Sequence, residues 1–168
     1  MKLFLGIFLV LIGAVEAQAI TARNWQSHPK ILEVRAIYGF VNSLFVHKKL
    51  KLETKNLDDC SYWDSMREKY TDAKGVVRRY IKSGGSSDSA VTLEHTYDVR
   101  GRLRFVLVKA GAVNDTSLEL RFYFDAAGKR LWLDRRETGP GYTWSVADFV
   151  GQMVWKPKIA FVRASPCK

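Results

Sequence analysis

Two glutamates and a group of arginines are the residues whose types and spacing invite a chemical reading. Placed on adjoining strands, Glu94 and Glu119 fall in one cross-strand row with Val106 between them, about two strand spacings of roughly 4.8 Å apart. That separation suits the carboxylate pair of an inverting glycoside hydrolase. Arginine neighbours oppose the idea, because they lower carboxylate pKa values and so disfavour a general acid. The same pairing brings Glu119 near Arg135, and cross-strand ion pairs on a solvated face account for these residues better than a catalytic pair does.

The arginines offer a second chemistry. Arg102, Arg104 and Arg121, projecting from a rigid sheet, would hold planar guanidinium groups ready to grip phosphate or carboxylate. Tyr80, Tyr123, Trp132, Tyr142 and Trp144 would supply stacking surfaces beside them. Aromatics with arginine on a sheet also suit single-stranded nucleic acid, but an exported chain rarely meets that partner. No phosphate loop, His-Glu-x-x-His, Gly-x-Ser-x-Gly or Cys-x-x-Cys occurs, so no cofactor or metal is expected. The three histidines are dispersed; His95, on an apolar strand face, reads as a buried ring with a hydrogen-bond partner.

Strands must position these side chains. Val91, Leu93, His95 and Tyr97 alternate with Thr92, Glu94 and Thr96, the period of a half-buried strand. Asp98-Val99-Arg100-Gly101 then supplies a turn whose Asp binds the backbone and whose Gly takes the left-handed conformation. Pairing across it sets Tyr97 opposite Leu103 and His95 opposite Phe105, so Leu103, Phe105 and Leu107 should share the apolar face. A third strand follows with Leu118, Leu120, Phe122 and Phe124 on that face, and Asp125-Ala126-Ala127-Gly128 leads into a fourth over 129–135. Trp132 joins the apolar face while Leu131 and Leu133 oppose it, a conflict that calls for a register slip or a partly covered second face. The turn occurs once more at Asp72-Ala73-Lys74-Gly75, with the first strand of that hairpin expected over 61–70.

Elsewhere, Ile31, Val34, Ile37, Tyr38, Val41, Leu44 and Phe45 follow helical spacing behind Ser27 as N-cap and Pro29. This amphipathic helix should cover the apolar sheet face. Leu50 and Leu52 among lysines suggest an edge strand. Residues 83–89 read as a flexible loop, 145–154 as a short capped helix and 159–162 as a last edge strand. The expected fold is therefore α+β: an antiparallel β-meander with Asp-x-x-Gly hairpins, one face under an N-terminal helix, plus a short C-terminal helix.

The first 19 residues read as a secretory signal: Lys2, an apolar core from residue 3 to 15, then Ala17-Gln18-Ala19 as a cleavage site. Residues 20–168 have the length of a single domain. The formal charge is +10 and is unchanged by cleavage, which removes Lys2 and Glu16 together. That surplus favours anionic partners. Cys60 and Cys167 should pair in an oxidising compartment, and Asn114-Asp115-Thr116 matches a glycosylation acceptor. The residues thus suggest a secreted or periplasmic, non-enzymatic binding module. Its basic sheet face would engage an anionic envelope component or a protein partner. A glycan-directed hydrolase using Glu94 and Glu119, and a secreted enzyme inhibitor acting through residues 83–89 or 139–144, are the alternatives.

Overall fold

The computed structural model describes residues 18–57 and 61–164. Most of the expected leader, and both Cys60 and Cys167 with their expected disulfide, lie outside the described residues. The chain forms helix α1 (Pro29–Val46) and then seven strands: β1 (Lys51–Asn56), β2 (Met66–Thr71), β3 (Val77–Gly85), β4 (Ser89–Tyr97), β5 (Leu103–Ala112), β6 (Ser117–Phe124) and β7 (Arg130–Thr138). Two short helices follow, α2 (Val146–Gly151) and α3 (Pro157–Val162). All seven strands form one antiparallel sheet in sequence order, a meander with no crossover.

Three turns at one end of the sheet are built alike. Asp72, Asp98 and Asp125 each accept two backbone N–H bonds on Oδ1, from the residues two and four positions on. Gly75, Gly101 and Gly128 take φ of +76°, +75° and +84°, a region that costs glycine little and other residues more. Each turn is followed by a β-bulge: Arg78, Arg104 and Leu131 are passed over by the pairing, which resumes at Arg79, Phe105 and Trp132.

An extra residue turns every later side chain to the opposite face. Tyr97 does stand opposite Leu103, but His95 stands opposite Val106 rather than Phe105. Phe105 and Leu107 therefore leave the face of His95 and Phe122, and Val106, Val108 and Ala110 replace them there. Both faces of the sheet are then apolar over part of their extent, and both are covered. Helix α1 packs Ile31, Val34 and Tyr38 against Phe105, Leu107 and Tyr123, with Trp25 stacked on Trp132 at 5.7 Å. The opposite face carries Tyr80, Leu93, Tyr97, Val106, Leu120 and Phe122, and the C-terminal segment seals it with Trp144, Phe149, Met153 and Val154. The bulge at Leu131 also resolves the conflict in β7: Trp132 and Leu131 lie under α1, while Leu133 faces Phe122 and the second core.

Four local expectations need correction. His28, not Ser27, caps α1: its Nδ1 accepts the Lys30 N–H at 3.2 Å while Nε2 donates to the Gln18 carbonyl. Strand β2 starts only at Met66, after a turn at Asp64. The glycine- and serine-rich stretch is no flexible loop: Lys82 to Gly85 pair with Leu93 to Ala90, and the Ser86 N–H bonds the Ser89 carbonyl to close a tight turn. Residues 159–162 belong to helix α3, because Pro157 at its start presets the helical φ.

Candidate functional site

The sheet geometry separates the two glutamates. Glu94 stands opposite Leu107, whose other neighbour is Arg121, whereas Glu119 stands opposite Lys109 on one side and Arg136 on the other. They share neither a row nor a partner, and Val106 lies on the far face. Arg79 holds Glu94, and Arg121 holds Glu119 at 2.7 Å. Arg135 lies one residue out of register with Glu119 and pairs with Glu137 instead.

The three arginines likewise do not form one platform. Arg104 is the bulge residue of its hairpin and only 3% exposed; its Nε donates to the Phe124 carbonyl and its Nη2 to Glu33 of α1. Arg78 does the same one hairpin earlier, with Nε on the Tyr97 carbonyl and Nη1 on Asp72. Each of these guanidinium groups ties one turn to the strand that enters the next. Arg102 sits at the turn itself and pairs with Asp98 at 2.7 Å. Burial works against the charge of Asp98, but hydrogen bonds from the Arg102 side chain and from the Arg102 and Arg100 amides hold its pKa below the usual value. Arg121 lies on the α1 side, where it faces Asp134 as well as Glu119. With Arg35, Tyr38, Phe105, Leu107 and Tyr123 it lines a cavity of about 280 Å³.

The aromatics are mostly structural. Trp144 is buried and donates its indole N–H to the Tyr62 hydroxyl, and Tyr142 donates to Asp88. Asn114 donates its side-chain amide to the Gly141 carbonyl, which also accepts from Thr116. The proposed inhibitor loops and the glycosylation acceptor are thus knitted together at the end of the sheet away from the three like turns.

Beneath the C-terminal segment runs a buried polar network that the sequence reading did not assemble. Asp64 receives Arg67, and Arg67 also donates to the carbonyls of Ala160 and Arg163. The hydrogen bond to Asp64 raises the pKa of Arg67 against the opposing effect of burial. Lys82 donates to Gln152 at 2.7 Å, and burial lowers its pKa. His95 is fully buried, which drives its pKa down to about 4. Its Nδ1 donates to the Tyr80 carbonyl, and its Nε2 accepts the Val154 N–H at 3.1 Å. Tyr97 donates its hydroxyl to the Val154 carbonyl at 2.6 Å. Val154 is therefore held at both backbone groups by β4, and the residues after it are laid across the three like turns.

There a groove opens. Lys74, Arg100, Trp155, Lys156, Lys158 and Ile159 line a cavity of about 530 Å³ together with Val76, Val77 and Pro157. Among the described residues, no carboxylate lines it. Trp155 packs its ring on Gly128 and edge-on to Phe124 at 5.3 Å, yet stays 47% exposed. Among the described residues, Lys74, Arg100, Lys129, Arg130, Lys156 and Lys158 take part in no ion pair. The sequence reading missed this site because its cations come from turns and from Lys156 and Lys158, just ahead of residues 159–162, which were read as a strand. The shared turn pattern was the one signal that could have brought them to one end.

Comparison with known proteins brings no match, whether to family models, to curated proteins or to solved structures.

Proposed function

We propose that this chain is an exported, non-enzymatic binding module that engages an anionic partner, an envelope component or an acidic protein surface, through the end of the sheet formed by its Asp-x-x-Gly hairpins. One observation carries the reading: Arg79, Arg121 and Arg136 of the sheet face lie against carboxylates, while Lys74, Arg100, Lys156 and Lys158 of the groove take part in no ion pair among the described residues. Desolvating an ion pair to bind a third party costs its existing attraction; an unpaired cation on a rigid turn has no such penalty. Arg102 extends the basic tip despite its bond to Asp98, since its side chain remains 40% exposed. The hydrolase reading is not favoured, because each glutamate already holds a guanidinium.

The test compares position at constant net charge. Lys74→Glu/Lys158→Glu reverses two tip cations, and Lys48→Glu/Lys49→Glu reverses two at the end of α1. Elution from an immobilised polyanion such as heparin should move to much lower salt for the first pair and to only slightly lower salt for the second. Equal shifts would mean that net charge alone binds, and the localised reading would fail.

A further inference from the structure

Four of the hollows among the described residues are lined by cations. The cavity beside Arg67 and Lys82 is about 360 Å³, but Asp64, Arg67 and Lys82 are spent on one another, on α3 and on Gln152, and Lys156 is shared with the hairpin-tip groove. In the cavity at Arg121 that arginine is neutralised by Glu119 and Asp134, and Arg35 lies over the Trp25 ring and donates to the Gln26 carbonyl. The exposed Phe40 and Val99 border a third hollow, whose arginines Arg78, Arg102 and Arg104 are all in ion pairs. The hairpin-tip groove differs from all three, since it joins unpaired cations to exposed apolar side chains.

From that combination we infer that the groove is a docking surface for an anionic lipid bilayer, with Trp155 and Ile159 entering the headgroup region and Lys74, Arg100, Lys156 and Lys158 contacting the phosphates. The inference deepens the proposed function and rests on it. A soluble polyanion would satisfy the cations but leave Trp155, 47% exposed, and Ile159, 60% exposed, in water. A bilayer interface satisfies both, because it offers phosphate at the depth of the lysines and an apolar boundary just below. Tryptophan prefers that boundary, where its ring is half solvated. Charge complementarity is one-sided here: among the described residues, the groove lining contains four cations and no carboxylate. Lys129 and Arg130 follow Gly128, on which Trp155 packs, and add two cations to this end of the sheet. The groove is also presented rather than floppy, since His95 and Tyr97 fix Val154 immediately before Trp155.

The experiment uses residues 20–168 and two probes. Vesicles of phosphatidylglycerol with phosphatidylcholine are compared with phosphatidylcholine alone by co-sedimentation, and long-chain polyphosphate serves as the soluble anion. The chain should sediment with the anionic vesicles only, and added salt should weaken the association. Lys156→Glu/Lys158→Glu should lower vesicle partitioning at least about 20-fold, since each basic residue near an anionic surface contributes roughly a fivefold factor. Trp155→Ala should weaken vesicle binding while leaving polyphosphate binding unchanged, and far-ultraviolet circular dichroism checks that each variant is folded. Binding to polyphosphate without binding to anionic vesicles would overturn the lipid inference and leave the anionic-partner reading standing. Binding to neither would overturn both. Vesicle binding indifferent to Trp155→Ala would overturn the insertion of the apolar residues.

Discussion

The hairpin-tip groove and the polar stretch of the α1-side sheet face are both rich in cations, and they differ in what surrounds those cations. On the face, Arg79, Arg121 and Arg136 lie within ion-pair distance of Glu94, Glu119 or Asp134. Charge there is spent internally, on pairs within and between strands that leave little field. At the tips, the turn aspartates are committed to backbone N–H groups and to Arg78, Arg102 and Arg104. They stay with the turns, and among the described residues Lys74, Lys129, Lys156 and Lys158 take part in no ion pair. Counting arginines therefore says less about binding than asking which cations the fold has already used.

Three changes sharpen this contrast, from the largest effect to the smallest. The first acts on His95, whose clamp on Val154 positions the groove wall. Its folded pKa of about 4 lies below the unfolded value of 6.5, so between those limits the unfolded chain takes up a proton that the folded chain refuses. Stability is full above pH 6.5 and falls as the pH drops through this window, by about 3 kcal/mol at its lower end. Urea unfolding across the window should show that slope, and His95→Gln should flatten it whatever its own cost. A wild-type stability unchanged from pH 6.5 to 4 would mean that the ring is not held neutral by burial.

The second is Arg104→Ala. Losing this guanidinium leaves the buried Phe124 carbonyl without its side-chain donor and cuts the tie to Glu33, for about 2 kcal/mol. Denaturant midpoints read the effect. The third is Arg121→Ser, whose partners are partly solvated; it should cost under about 1 kcal/mol and leave polyanion binding intact. If Arg121→Ser weakened binding as strongly as the tip reversals, the face and not the groove would be the binding surface.

Alternation in the sequence located the strands, since β4 and β6 keep strict periods of two and their apolar rows lie where the pattern puts them. It failed inside β5. Leu103 lies where expected, but the bulge at Arg104 turns Phe105 and Leu107 away, and no single-residue propensity announces a bulge. A signal was present in the unbroken apolar run Phe105-Val106-Leu107-Val108, which marks a strand buried on both faces. Another was the arginine six residues after Asp72 and again after Asp98. The second cover escaped notice for a related reason: Ile159-Ala160-Phe161-Val162 is too short for periodicity to separate helix from strand. With that segment misread, Lys156 and Lys158 could not be brought to the turns, and the arginines of the sheet stood in for them.

The claim that the tips and not the face meet the partner is tested most directly by amide hydrogen exchange with and without saturating anionic vesicles. The account predicts new protection at residues 72–76, 98–102 and 154–159, with residues 117–121 and 134–136 unchanged. Protection of the sheet-face strands with the turns unaffected would contradict it.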